Sequence, residues 1–199
     1  MTKLEKNRKL TAEYLTRPVI NLLARTPITP NTLTWLGFWI TAGASVLVVT
    51  DNLFAAGFVV LAAGLFDMMD GGLARATKRV TRFGGILDST LDRLSEALLL
   101  LGLLYMYASQ AQAAYSLVAG LALVFSLMVS YIRARVEGAG LDCKVGFFTR
   151  PERVVIMALG LIFSRFDYVL IGAIGLIALL SFATVVQRLV HARRVAASN

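Results

Sequence analysis

The chain has 199 residues, 57% of them hydrophobic and 16% charged, where a soluble domain carries about 25% charged residues, and its mean hydropathy is +0.71. That composition excludes a soluble globular protein; at roughly 20 apolar residues per crossing the length holds about six membrane helices in one domain, residues 1–199, with no room for a separate soluble unit. A net charge of +8 does not indicate nucleic acid, because the basic residues border apolar spans instead of forming an aromatic-interleaved soluble face, and they suit phosphate-bearing lipids and substrates.

Over residues 1–30 the apolar positions Leu10, Tyr14, Leu15, Val19 and Leu22 recur at helical spacing among basic and polar residues, which predicts an amphipathic helix lying in the headgroup plane. Lys3, Lys6, Arg8, Lys9, Arg17 and Arg25 interrupt this stretch, so it lacks the apolar core of a cleaved signal peptide.

An all-α bundle of six transmembrane helices is expected over residues 32–190. Its apolar spans run from Thr32 to Thr50, Leu53 to Met69, Ile86 to Ala108, Ala113 to Tyr131, Val154 to Phe163 and Tyr168 to Leu189, the fifth being short. Pro18, Pro27, Pro30 and Pro151 all fall outside the spans, where they break no helical hydrogen bond. Nearly all lysine and arginine lies in the termini and in the second and fourth connections, while the opposite turns hold only Arg165. By the positive-inside rule this predicts a multi-pass protein of the cell membrane with both termini and the basic ends in the cytoplasm. Cys143 is the single cysteine, so the chain can form no internal disulfide. His191, the only histidine, follows the last span in a basic tail and reads as a surface residue.

Asp67, Asp70, Asp88 and Asp92 sit at the end of the second span and the start of the third, where an unpaired carboxylate costs on the order of several kcal/mol. Spacings of three and four put each pair on one helix face, so two packed helices could aim four hard oxygen ligands at magnesium or manganese. An ion network with Arg75, Arg82 and Arg93 is the structural alternative. It leaves Gly71, Gly72, Gly84 and Gly85 unexplained, whereas a pocket for a metal-bound diphosphate uses them, since they remove side chains beside the acids. Intramembrane acids also mark cation transporters, but those acids belong near the bilayer midplane, and these lie near cytoplasmic ends.

The stretch Asp67-Met68-Met69-Asp70-Gly71-Gly72-Leu73-Ala74-Arg75, followed after eight residues by Gly84-Gly85-Ile86-Leu87-Asp88-Ser89-Thr90-Leu91-Asp92, resembles the CDP-alcohol phosphotransferase signature D-x-x-D-G-x-x-A-R-x8-G-x-x-x-D-x-x-x-D and matches its every fixed position. The resemblance implies a six-helix membrane enzyme, usually a homodimer, that binds a CDP-linked lipid and releases CMP. It implies that Asp67, Asp70 and Asp88 are metal ligands, the seat of two Mg2+ or Mn2+ ions together with Asp92, which is both ligand and catalytic base. It further implies donor contacts at Gly71, Arg75 and Thr81, and at the Asn31-Thr32-Leu33-Thr34 stretch before the first span.

Two further segments, Ser130-Tyr131-Ile132-Arg133-Ala134-Arg135 and Gly146-Phe147-Phe148-Thr149-Arg150-Pro151-Glu152-Arg153, are similar to those of the phosphatidylinositol phosphate synthase subgroup. That similarity implies inositol phosphate as the acceptor, its phosphate held by Arg133, Arg135, Arg150, Arg153 and Arg188. Glycerol phosphate enzymes of the family typically carry Leu-Asp-Pro-x-Ala-Asp-Lys, and Ser89, Leu91 and Arg93 depart from it at three places.

Overall fold

The structure is a computed structural model that describes residues 18–143 and 145–197. The expected interfacial helix therefore lies largely outside the described residues; residues 18–23 are helical, and Ile20 is buried. Six longer helices follow: α1 Pro30–Val49, α2 Leu53–Ala76, α3 Arg82–Ser109, α4 Ala113–Gly138, α5 Arg150–Ile162 and α6 Val169–Ala197. No strand occurs among the described residues.

Helix ends follow local chemistry. Thr29 caps α1 by accepting from the Thr32 N–H, and Thr81 caps α3 by accepting from the Gly84 N–H at 2.9 Å, each satisfying a donor that the first turn leaves orphaned. At α5 the Thr149 N–H donates to Glu152 Oε2 at 2.9 Å, one arm of a capping box. At the other ends Asp51, Lys78 and Ala111 take left-handed backbone with φ of 62°, 55° and 56°. Each lets the next N–H reach back to the last full turn, as Asn52 to Leu47 O, Arg79 to Ala74 O and Gln112 to Tyr107 O at 2.8–2.9 Å, the bond that closes a helix before a sharp reversal. These caps turn consecutive helices back on one another, so α1, α3 and α5 all begin at the basic end.

Packing closes the helices into a ring in the order α1, α2, α5, α6, α4, α3 and back to α1. The signature helices α2 and α3 thus each pack on α1 and only sparsely on each other, where the spacing alone suggested direct packing. A core that includes Val48, Val60, Leu100, Leu103, Leu161, Ile174 and Ile177 fills the ring. A smaller cluster of Ile132, Val136 and Cys143 lies under the connection between α4 and α5.

Helices α1, α2, α4 and α6 are long and apolar enough to cross a membrane. Trp39, Phe54, Phe58, Leu117, Leu179 and Phe182 point outward from them, an apolar exterior suited to lipid. The chain is a multi-pass membrane protein. Helix α3 has the length, at 28 residues, but carries Asp88, Asp92, Arg93 and Glu96, and α5 has only 13 residues, about 20 Å at 1.5 Å per residue.

Candidate active site

Every fixed position of the signature lies on helix, because α2 continues past the expected Met69 to Ala76 and α3 begins at Arg82, one turn before the expected Ile86. Helix α1 packs on both acid-bearing helices and props the acids of α2. Thr34 Oγ1 donates to Asp70 Oδ2 at 2.7 Å, the Gly71 N–H donates to Asp70 Oδ1 at 2.5 Å, and Asp70 is only 5% exposed. Three residues on, Gly37 lets Asp67 approach α1, for a Cβ there would fall 2.8 Å from Asp67 Oδ1.

From α5, across the ring, comes Arg150. Its Nη2 meets Asp67 Oδ2 at 2.7 Å and its Nη1 meets Asp92 Oδ1 at 2.8 Å, so one guanidinium spans an acid of α2 and an acid of α3. Of the arginines considered for an ion network from sequence, Arg93 bonds the Ser89 carbonyl through Nη1, and Arg75 lines the neighbouring cavity. Among the described residues no three acidic, histidine or cysteine side chains close into one cluster. The donor set still fits a hard divalent cation: it consists of carboxylate oxygens from two helices, and the charge already shared by Asp67 and Asp92 is a cation.

Beside the acids lies a cavity of about 290 Å³ whose lining includes Asn31, Thr34, Asp70, Gly71, Arg75, Thr81, Gly84 and Asp88. Five of the seven positions expected to hold the donor therefore meet in one place, sharing Asp70 and Asp88 with the carboxylate set. Thr32 and Leu33 do not line it. Leu33 is buried at 2% exposure, and the Thr32 hydroxyl pairs with Thr29 Oγ1 at 2.8 Å in the α1 cap. Gly84 keeps the floor open, since a Cβ would fall 2.9 Å from Thr81 Oγ1 and 3.2 Å from Asn31 Oδ1. Arg79 also lines the cavity; its only signal in sequence is a basic residue inside the eight-residue gap of the signature.

The five arginines expected at the acceptor are held differently. Arg133 pairs with Glu137 one turn later at 2.8 Å, and Arg135 is exposed on the same helix end. Arg188 is buried, with Nε on the Val145 carbonyl at 3.0 Å and Nη1 on the Val129 carbonyl. Arg153 is 2% exposed and gripped side-on by Glu96, with Nε to Oε1 at 2.5 Å and Nη2 to Oε2 at 2.9 Å. Sequence reading missed Glu96. Its signal was its place one turn beyond Asp92 on the stripe 88, 92, 96, inside an apolar span where a charge needs a partner.

A sequence model of the CDP-alcohol phosphatidyltransferase family matches residues 27–192. The archaetidylinositol phosphate synthase of Pyrococcus horikoshii is 41% identical over 173 residues, 86% of this chain and 87% of that protein. The phosphatidylinositol phosphate synthase of Mycobacterium tuberculosis is 39% identical over 196 residues, 95% and 90% of the two chains. The crystal structure of the Mycobacterium tuberculosis enzyme with CDP-DAG bound superposes with a TM-score of 0.83 at 35% identity, covering 90% of this chain and 94% of that one. Its complex with manganese and citrate gives a TM-score of 0.82 at 37% identity, covering 89% and 88%. By signature, fold and relatives alike, the chain belongs to the CDP-alcohol phosphatidyltransferase family.

Proposed function

We propose that the protein transfers a phosphatidyl-type group from a CDP-linked lipid to inositol phosphate and releases CMP. The observation that carries this reading is the sharing of Asp70 and Asp88 between the carboxylate set and the cavity of Asn31, Thr34, Gly71, Arg75 and Thr81, which would seat a diphosphate against the acids. Relatives named for a phosphatidyl and for an archaetidyl product have inositol phosphate in common, and this supports the acceptor.

In this mechanism Asp67, Asp70, Asp88 and Asp92 would hold divalent metal, two Mg2+ or Mn2+ ions, which when bound neutralises the diphosphate and stabilises CMP as leaving group. Arg75 and Arg79 add positive charge to the lining of the cavity, and the N-termini of α1, α3 and α5 face the same end, where helix dipoles favour phosphate. The acceptor hydroxyl attacks the lipid-side phosphorus, the bond from that phosphorus to the oxygen leaving with CMP breaks, and Asp92 takes the hydroxyl proton as the new bond forms. Arg133, Arg135, Arg150, Arg153 and Arg188 supply the charge that holds the acceptor's own phosphate, for which planar guanidinium forks are suited. With purified protein and a CDP-lipid of either the diacyl or the ether-linked type, inositol phosphate should give CMP and free inositol should not. Equal release with free inositol, or a preference for glycerol phosphate, overturns the acceptor assignment.

We further propose that all six helices cross the bilayer as a single domain, with the interfacial segment 1–30, both termini and the site in the cytoplasm, and that the protein is a homodimer with twice the 21.6 kDa chain mass. Single cysteines at Gln110 and Ser164, in a Cys143→Ser background, should react with an impermeant maleimide added outside intact cells, and one at Lys78 should not. External labelling of Lys78 defeats the orientation.

A further inference from the structure

Glu96 and Arg153 form a buried ion pair in the span below the carboxylates, and nothing in the reaction described so far uses Glu96. A buried pair of this kind is weak evidence for stability, because desolvation of two charges offsets their attraction and apolar replacements do as well. What it does fix is orientation. Both carboxylate oxygens of Glu96 lie along one edge of the guanidinium, on Nε and Nη2, so the ring of donors cannot rotate, and Nη1 is left without a protein partner. Three residues earlier on α5, Arg150 is held end-on, its Nη2 and Nη1 on the separate carboxylates of Asp67 and Asp92, and its Nε is the donor left over. Both arginines, with Asp67, Ser95 and Glu96, line one internal cavity of about 30 Å³, enough for one or two water molecules to join the two unmatched N–H groups. The acids thus stack in two layers along α3, each carrying one arginine of α5: Asp92 with Arg150 and, one turn deeper, Glu96 with Arg153.

We propose that Glu96 is a positioning residue for acceptor use, acting through Arg153: it locks that guanidinium side-on and so sets the α5 arginine pair beside Asp67 and Asp92. The inference rests on the acceptor reading above, in which these arginines meet the acceptor's phosphate. A second layer of this kind, when removed, lowers the affinity of the layer it supports by about tenfold to a hundredfold.

The test is a double-mutant cycle of Glu96→Gln and Arg153→Lys in purified protein, with donor and acceptor KM measured separately by CMP release. Glu96→Gln should raise the KM for inositol phosphate by about tenfold or more and leave the CDP-lipid KM near the wild-type value, a split that loss of folded protein does not produce. Glu96→Asp, which keeps the charge, should recover most of the acceptor use, and Glu96→Met, close in volume but without the charge, replaces the Gln variant in the cycle if that variant does not fold. Because Glu96 acts through Arg153, the double variant should be no worse than Arg153→Lys alone. Additive losses, or an unchanged acceptor KM in Glu96→Gln or its replacement in the cycle, overturn the proposal. A wild-type protein that gives no CMP with inositol phosphate fails the acceptor reading instead, so the two failures are told apart by the control.

Discussion

Exhaustive chelation should abolish CMP release, and added Mg2+ or Mn2+ should restore it. The reason is charge: four aspartates, two on α2 and two on α3, gather at one site, and the guanidinium that pairs with them there, Arg150, touches Asp67 and Asp92. Among the described residues Asp70 has no ion pair; it holds a threonine hydroxyl and its neighbour's N–H. A CDP-lipid brings a further diphosphate to the same cavity, which without metal would stand against these carboxylates at close range, a repulsion worth several kcal/mol at reduced dielectric. Mn2+ binding followed by electron paramagnetic resonance gives a readout apart from turnover, and Asp70→Asn should weaken it. Full turnover in metal-free buffer would sink the assignment.

Asp92→Asn should lower turnover by about a hundredfold or more, the loss expected when a general base is removed, while CDP-lipid binding stays close to wild type. Asparagine preserves the shape of the side chain but cannot accept a proton. Asp92 does not line the donor cavity, whose acids are Asp70 and Asp88, so the defect belongs to the chemical step. Single-turnover CMP release together with equilibrium binding of the donor separates the two effects. Wild-type turnover in the variant removes Asp92 from the role of base.

How much of this was legible in the sequence depends on the range of each interaction. Local periodicity is enough to put each pair of acids on one helix face, and the donor positions Gly71, Arg75 and Thr81 follow from the resemblance of that contiguous stretch to the family signature. The stretch 31–34 was read as a block, yet α1 starts at Pro30, and on a helix residues 31 and 34 share a face while 32 and 33 turn away. The cavity accordingly takes Asn31 and Thr34 alone. What could not be read was the ring order. Nothing local says that α1 stands between α2 and α3, that Gly37 is required for Asp67 to come close, or that Arg150 reaches back 83 positions to Asp67. The arginines after residue 130 looked alike in sequence, as a basic connection, and only tertiary packing separates exposed Arg135 from buried Arg153 and Arg188.

The circular order of the helices also sets how the bundle can be assembled as the chain emerges. Helix α2 meets α1, α3 meets α1, α4 meets α3 and α5 meets α2, so each newcomer finds a partner already in the bilayer and none has to wait for a later segment. Only α6 has two waiting neighbours, α4 and α5, and it enters as the stave that closes the barrel, with Arg188 reaching from it to the carbonyls of Val129 on α4 and of Val145 in the connection between α4 and α5. The four aspartates are in place after the third helix, whereas Arg150 and Arg153, which pair with Asp67, Asp92 and Glu96, arrive with the fifth. A nascent chain therefore carries its whole signature well before it can turn over.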